Sequence, residues 1–161
     1  MIAATLRPER PADKDFLRNL ITATIALELG AAAWPEPMRS HLLQVQYSAR
    51  RHARLAAFPD AEPSDSQGKY ASYIIEADEA PAGWLVVAGM SCETRVVEIM
   101  VAPELRGKGI GSAALRQVLA TAAGPVRLSV NIANGAAIRL YERLGFRKVE
   151  QDDLQFLMEH D

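Results

Sequence analysis

Polar and apolar positions along the chain follow two rhythms, and the change from one to the other divides it. Over 3–7 ("AATLR") apolar and polar residues alternate until Pro8 and Pro11 break the pattern, which predicts a short strand and a turn. Asp13 then stands where a helix needs a cap. Phe16, Leu17, Leu20, Ile21, Ile25 and Leu29 recur at helical spacing, and Gly30 ends them. Beyond "AAAWPEP", Pro37 suits the first turn of a second amphipathic helix that runs to about Phe58 and carries Arg50, Arg51 and Arg54. The stretch "PDAEPSDSQ" at 59–67 has the turn-forming composition of a mobile loop.

From Lys69 the period falls to two and the residues become β-branched or aromatic. "KYASYIIEA", "GWLVVAGM" and "RVVEIMVA", joined by "DEAP" and "SCET", predict three strands of an antiparallel meander. A helix over about 109–123 follows, closed by Gly124 and Pro125. "VRLSVNI" predicts another strand, and "NGAAIRLYERLG" a helix that Gly145 terminates. "FRKVEQ" and "LQFLMEH" predict a final hairpin around Asp152 and Asp153. The order β-α-α-β-β-β-α-β-α-β-β is that of an α/β mixture without repeats.

Composition narrows the function classes. The 161 residues, 49% hydrophobic, are enough for one domain spanning 1–161 with a substantial core. The 18 basic and 20 acidic residues nearly cancel, so no global basic field argues for nucleic acid. One cysteine, Cys92, permits no internal disulfide, and three scattered histidines show no metal-ligand spacing. The opening residues lack the basic-then-apolar pattern of a signal peptide, and no apolar run is long enough to span a bilayer. The expectation is a cytoplasmic protein with no membrane partner and no metal.

The chemistry concentrates after the strand "IMVAP". The turn "ELRGKGIG" puts Gly107, Gly109 and Gly111 beside Arg106 and Lys108 at the start of a helix, where backbone N–H groups point outward as an anion site. A tight strand-to-helix turn with solvated cations explains the glycines almost as well. A Walker loop fails, because no lysine here has its required spacing before Ser or Thr. A dinucleotide fingerprint begun at Gly107 fails too: it needs Gly or Ala where Ser112 stands, and an acid on the next strand.

Arg106-Gly107-Lys108-Gly109-Ile110-Gly111 resembles the Q/R-x-x-G-x-G/A acyl-CoA loop of the GNAT family of N-acetyltransferases. Asn134, Ala137, Tyr141, Gly145 and Phe146 resemble that family's N-x-x-A-x-x-x-Y-x-x-x-G-F helix. The two motifs stand in the family's order, and the resemblance covers about 95–158. It implies an α+β fold with a central, mostly antiparallel mixed sheet of about seven strands flanked by about four helices. It further implies transfer of an acetyl group from acetyl-CoA, as co-substrate, to a primary amine of unidentified identity. The alternative is a non-catalytic acyl-CoA-binding or sensor module. Relatives often dimerise, so a homodimer stays open.

The resemblance also assigns roles. The amides of Arg106 to Gly111, with Ser112 following, would receive the pyrophosphate; main-chain groups of Ile99, Met100 and Val101 would pair with the pantetheine arm. The strand "VRLSVNI" would splay away to admit that arm. Asn134 would touch it, and is equally a good N-cap. Tyr141 would protonate the departing thiolate, although an aromatic at this position also suits the buried face of an amphipathic helix. Glu98, a carboxylate in an apolar strand, is the candidate base, directly or through water; an ion pair with a nearby arginine is the competing role. Simple alternation sets Glu98 on the face of Met100, opposite Val97 and Ile99. Some relatives place a glutamate where Ser129 stands. Trp34 and the Arg50, Arg51, Arg54 group either shape an acceptor pocket or cover the core; His41 and His52, eleven residues apart on the second helix, read as surface or lining positions, and Cys92, with no histidine near it in sequence, reads as a structural or incidental thiol.

Overall fold

The computed structural model describes residues 2–57, 70–90 and 92–161, except for the side chains at 50, 51 and 53–57. The loop expected at 59–67 and the side chains of Arg50, Arg51 and Arg54 therefore lie outside the described residues. The elements are β1 (Ala4–Pro8), α1 (Lys14–Glu28), α2 (Met38–Ala57), β2 (Tyr70–Ala77), β3 (Ala80–Gly89), β4 (Thr94–Val101), α3 (Ile110–Thr121), β5 (Val126–Asn131), α4 (Gly135–Arg143), β6 (Arg147–Gln151) and β7 (Gln155–His160). All seven strands join one sheet in the order β1-β2-β3-β4-β5-β7-β6. Only the β4–β5 pair is parallel; the rest are antiparallel. This is the mixed sheet with four helices that the two motifs imply.

The sheet is covered on both faces, and strand alternation decides which residue goes where. Ile75, Leu85, Leu128 and Met158 pack under Ile110, Ala114 and Leu115 of α3 and Ile138 of α4. Ile74, Trp84, Val86 and Met100 point the other way, onto Leu17 and Leu20 of α1. Helix α2 packs chiefly on α1, and a small cluster of Ile25, Ala31 and Leu43 with Trp34 and Tyr47 joins them. Trp34 thus serves as a cover for this minor core.

Three local expectations change. Asp13 does stand at the N-cap of α1, but its side chain caps no helix amide of α1. Its carboxylate instead takes two hydrogen bonds from the Arg7 guanidinium, at 2.8 and 2.7 Å, and one from the Arg10 amide at 2.7 Å. A buried carboxylate finds more in a bidentate guanidinium than in one exposed amide. The β2–β3 loop is shorter than expected, because Asp78 and Glu79 both adopt positive φ (50° and 62°) and close a two-residue hairpin. Strand β3 consequently begins at Ala80, and the register skips Ala82, a bulge beside Pro81 that tolerates the missing N–H. Finally, Pro37 precedes α2 instead of joining its first turn, and its carbonyl accepts from the His41 N–H at 3.2 Å.

One charged row crosses the sheet. Glu93 pairs with Arg95 and Arg127, Arg127 with Glu159, and Arg147 with both Glu159 and Asp161. Arg95, Arg127, Glu159 and Arg147 are directly in register across β4, β5, β7 and β6.

Candidate active site

The site begins where a strand pair comes apart. Strands β4 and β5 are paired only at Thr94↔Val126, Arg95↔Arg127 and Val96↔Leu128, although each continues for several residues beyond. At that point the β3–β4 register jumps from Val86↔Glu98 to Val87↔Val96, which makes Val97 an inserted bulge residue. A bulge bends its strand and sharpens the local twist. It also overturns simple alternation: Val97 packs with Met100 in the α1 layer, so both Val97 and Met100 lie on one face.

Beyond the bulge, β4 has a free edge. The Ala102 N–H donates to Ala82 O across β3 at 2.8 Å, and the Met100 carbonyl presses on Gly83, where an added Cβ would lie 2.3 Å from it. Main-chain groups alternate in direction along a strand, so those of Ile99 and Val101 face the gap while Met100 is turned to β3. Gly83 is required here because no side chain fits against that carbonyl.

The glycine turn sits at the mouth of the gap. Gly107 and Gly109 take left-handed φ values of 76° and 83°, conformations costly to other residues. Gly111 does not; a Cβ there would meet Val101 and Leu140 at ordinary distances of 3.7 and 3.8 Å, so an alanine would fit at this position. Among the described residues, none of the six consecutive amides from Gly107 to Ser112 donates to a protein acceptor; the first bond of α3 runs from Ala113 N–H to Gly109 O. Orphan amides at the positive end of a helix dipole constitute an anion receptor. Lys108 is exposed beside them. Arg106, also exposed, turns inward: its Nε donates to Val101 O at 3.0 Å and its Nη2 reaches Thr24 Oγ1 at 3.5 Å. Thr24, 6% exposed, occupies an apolar-stripe position of α1, seven residues after Leu17 and four after Leu20. That displaced polar residue is the signal that sequence inspection passed over.

Helix α4 supplies the other wall. Asn134 is its N-cap, accepting from the Ala137 amide at 3.2 Å. At the far end Gly145, at φ 95°, forms a complete Schellman turn, with Phe146 N–H bonding Tyr141 O and Gly145 N–H bonding Glu142 O. The turn brings Phe146 onto Tyr141, ring centroids 5.9 Å apart. The Y-x-x-x-G-F spacing therefore has a mechanical meaning: the turn that ends the helix also fixes the tyrosine ring. Tyr141 is 8% exposed, and its hydroxyl has no hydrogen-bond partner among the described residues. Burial, and then the negative charge of Glu98, push its pKa up to about 12. Glu98 is half-buried on β4, so its charge is felt across the gap. Ser129 is exposed on β5. His41, His52 and Cys92 are exposed, and Cys92 lines a cleft of about 550 Å³ at the C-terminal end of α3, remote from the glycine turn.

An anion receptor beside an open strand edge suits a ligand that carries an anionic group and an extended arm. The family model of the acetyltransferase (GNAT) family matches residues 34–146, and the chain belongs to that family. Solved structures share the fold. The PaiA N-acetyltransferase of Thermoplasma acidophilum, in complex with coenzyme A, superimposes with a TM-score of 0.73 at 17% identity, covering 99% of each chain. An acetyltransferase of Thermus thermophilus gives 0.67 at 14% identity, over 98% of this chain and 96% of that one. The ribosomal-protein-S18-alanine N-acetyltransferase of Escherichia coli gives 0.62 at 18% identity, over 97% and 92%. No curated protein matches the sequence significantly. Among the described residues, no helix is long and apolar enough to cross a membrane.

Proposed function

We propose that the protein transfers the acetyl group of acetyl-CoA directly to a primary amine, of a small molecule or a protein N-terminus. The observation that carries this reading is the row of six acceptor-free amides, Gly107 to Ser112, at the mouth of a gap whose β4 edge is unpaired. The amides would hold the pyrophosphate, and the Ile99 and Val101 main chain would pair with the pantetheine arm as a strand would. Asn134 would flank that arm.

Glu98, directly or through a water, takes the proton of the incoming ammonium. The free amine attacks the thioester carbon; as the C–N bond forms, an N–H of the open β4 edge stabilises the developing oxyanion. The C–S bond then breaks, the new C–N nitrogen releases its surplus proton to solvent, and Tyr141 gives its own proton to the departing sulfur. A tyrosine held near 12 stays protonated throughout the neutral range, so the acid is always loaded. Its proton returns from solvent.

Calorimetric titration with acetyl-CoA, with ATP and NADH as controls, tests the donor. Selective micromolar binding, roughly −8 kcal/mol, followed by amine-dependent release of CoA thiol, is the expected result. Binding of NADH alone, or of none of the three, would overturn the reading.

A further inference from the structure

Resting on the acyl-CoA reading of the gap, we propose that the Arg106 side chain is a displaceable occupant of the free β4 edge. It holds the carbonyl that the acyl-CoA arm requires, and leaves when the arm arrives.

The geometry defines the exchange. Val101 is the last residue of β4, and its carbonyl is directed into the gap where β5 has already departed. An incoming pantetheine arm, which carries amide N–H donors, extends β4 only by bonding such edge groups. Yet the Arg106 Nε–H already bonds this oxygen at 3.0 Å, coming from five residues further along the chain. A guanidinium N–H is thus doing at Val101 what an amide of the arm would do.

The second anchor shows where the guanidinium is tethered. Its Nη2 meets Thr24 Oγ1 at 3.5 Å, the outer limit of a hydrogen bond. Thr24 belongs to α1, on the opposite side of the sheet from α3. Arg106 therefore joins the glycine turn, the β4 edge and α1, and its release from Val101 loosens a link to the helix that covers the other face. Because the side chain is exposed, it moves into solvent without opening the core. Its own amide donates to Pro103 O, so the side chain and not the main chain is the moving part.

Displacement has a consequence that bracing lacks: removing the occupant strengthens binding of the arm. The test uses the full chain and two ligands, acetyl-CoA and S-acetylpantetheine, which has the arm and thioester but no diphosphate. Binding is read by calorimetry and, at millimolar affinity, by the amide shifts of Ile99 and Val101. Arg106→Ala is expected to bind S-acetylpantetheine about fivefold tighter than wild type, the worth of one net hydrogen bond no longer broken. Thr24→Val, which removes only the tether, shifts affinity in the same direction by a smaller factor. Thermal melts establish that both variants fold.

Unchanged or weaker S-acetylpantetheine binding by Arg106→Ala overturns the proposal and makes the guanidinium a brace. Weaker acetyl-CoA binding with unchanged S-acetylpantetheine binding also overturns it, and assigns the side chain to the phosphates. Failure of wild type to bind either ligand rejects the acyl-CoA reading itself, a distinct outcome.

Discussion

Replacing Tyr141 with phenylalanine separates the proposed catalytic role of its hydroxyl from the structural role of its ring. The ring is buried against Phe146 and belongs to the core of the α3–α4 face, whereas the hydroxyl has no hydrogen-bond partner among the described residues. Tyr141→Phe keeps the apolar surface and deletes a polar atom that forms no protein bond, so stability should change by less than about 1 kcal/mol. Acetyl-CoA affinity should likewise be almost unchanged. The chemical step should not be. A positioned general acid contributes about 10²–10⁴ in rate, equivalent to roughly 3–5 kcal/mol at about 1.4 kcal/mol per tenfold. The assay is thiol release from saturating acetyl-CoA with an amine acceptor, alongside calorimetric affinity and a thermal melt. The pH profile adds a second check: with the phenol near 12, the wild-type turnover should show no loss of the acid at pH 9 to 10. Wild-type turnover in the variant would refute the reasoning, since the sulfur would then leave without this proton.

Glu98→Gln should flatten the rise of turnover with pH, because the base is no longer formed by deprotonation; an unchanged profile measured in the same thiol assay would move that role to another group. Gly109→Ala places a side chain at φ 83°, costing roughly 1–2 kcal/mol and twisting the amide row. Its acetyl-CoA affinity should fall at least several-fold in calorimetry, and full retention would remove the row from the argument. Asp13→Asn should lower stability by about 1–3 kcal/mol near neutral pH, because the Arg7 pair loses its charge. The Arg7 hydrogen bonds hold the Asp13 carboxyl below its ordinary value. A depressed folded value means that the stabilisation is complete above the unfolded value near 3.9 and disappears as pH falls through the folded one. Melting curves of wild type and Asp13→Asn should therefore converge below about pH 4, and a constant gap across that range would contradict the assignment.

Much of the fold was legible because its elements have strong local causes. The α1 stripe, the β-branched runs and the punctuation by Gly30 and Gly145 each depend on residues close in sequence, and apart from the early start of β3 the elements form close to where the periodicity sets them. The glycine turn was legible for the same reason. What escaped depends on partners that no helix or strand period relates. Asp13 has the composition of a cap, yet Arg7 lies near enough to claim it once β1 and α1 are folded together. The insertion at Val97 has no signature in "RVVEIMVA", since a bulge exists only relative to the register of β3. Without the bulge, alternation sets Val97 opposite Met100, and the family resemblance offers three consecutive residues to an edge that alternation gives to Ile99 and Val101. Thr24 was visible as a polar residue in an apolar stripe, but its partner Arg106 is 82 positions away.

The charged row from Arg95 to Asp161 lies at the same end of the sheet as the three residue pairs that still hold β4 to β5. The sheet is thus a book with two leaves, β1 to β4 and β5 to β6, sharing a short spine. Each inner charge of the row sits between two of opposite sign, and one rung of it, Arg127 to Glu93, joins the two leaves beside the three backbone pairs. The row runs from part-buried carboxylates at Glu93 and Glu159 to the exposed Arg147–Asp161 pair, and only the exposed end is weak and readily screened by salt. A molecule sliding between the leaves breaks no strand pairing, because the opening is already part of the folded state. What such a molecule must overcome is the hold of Arg106 on the Val101 carbonyl and the bending of a hinge three residue pairs long.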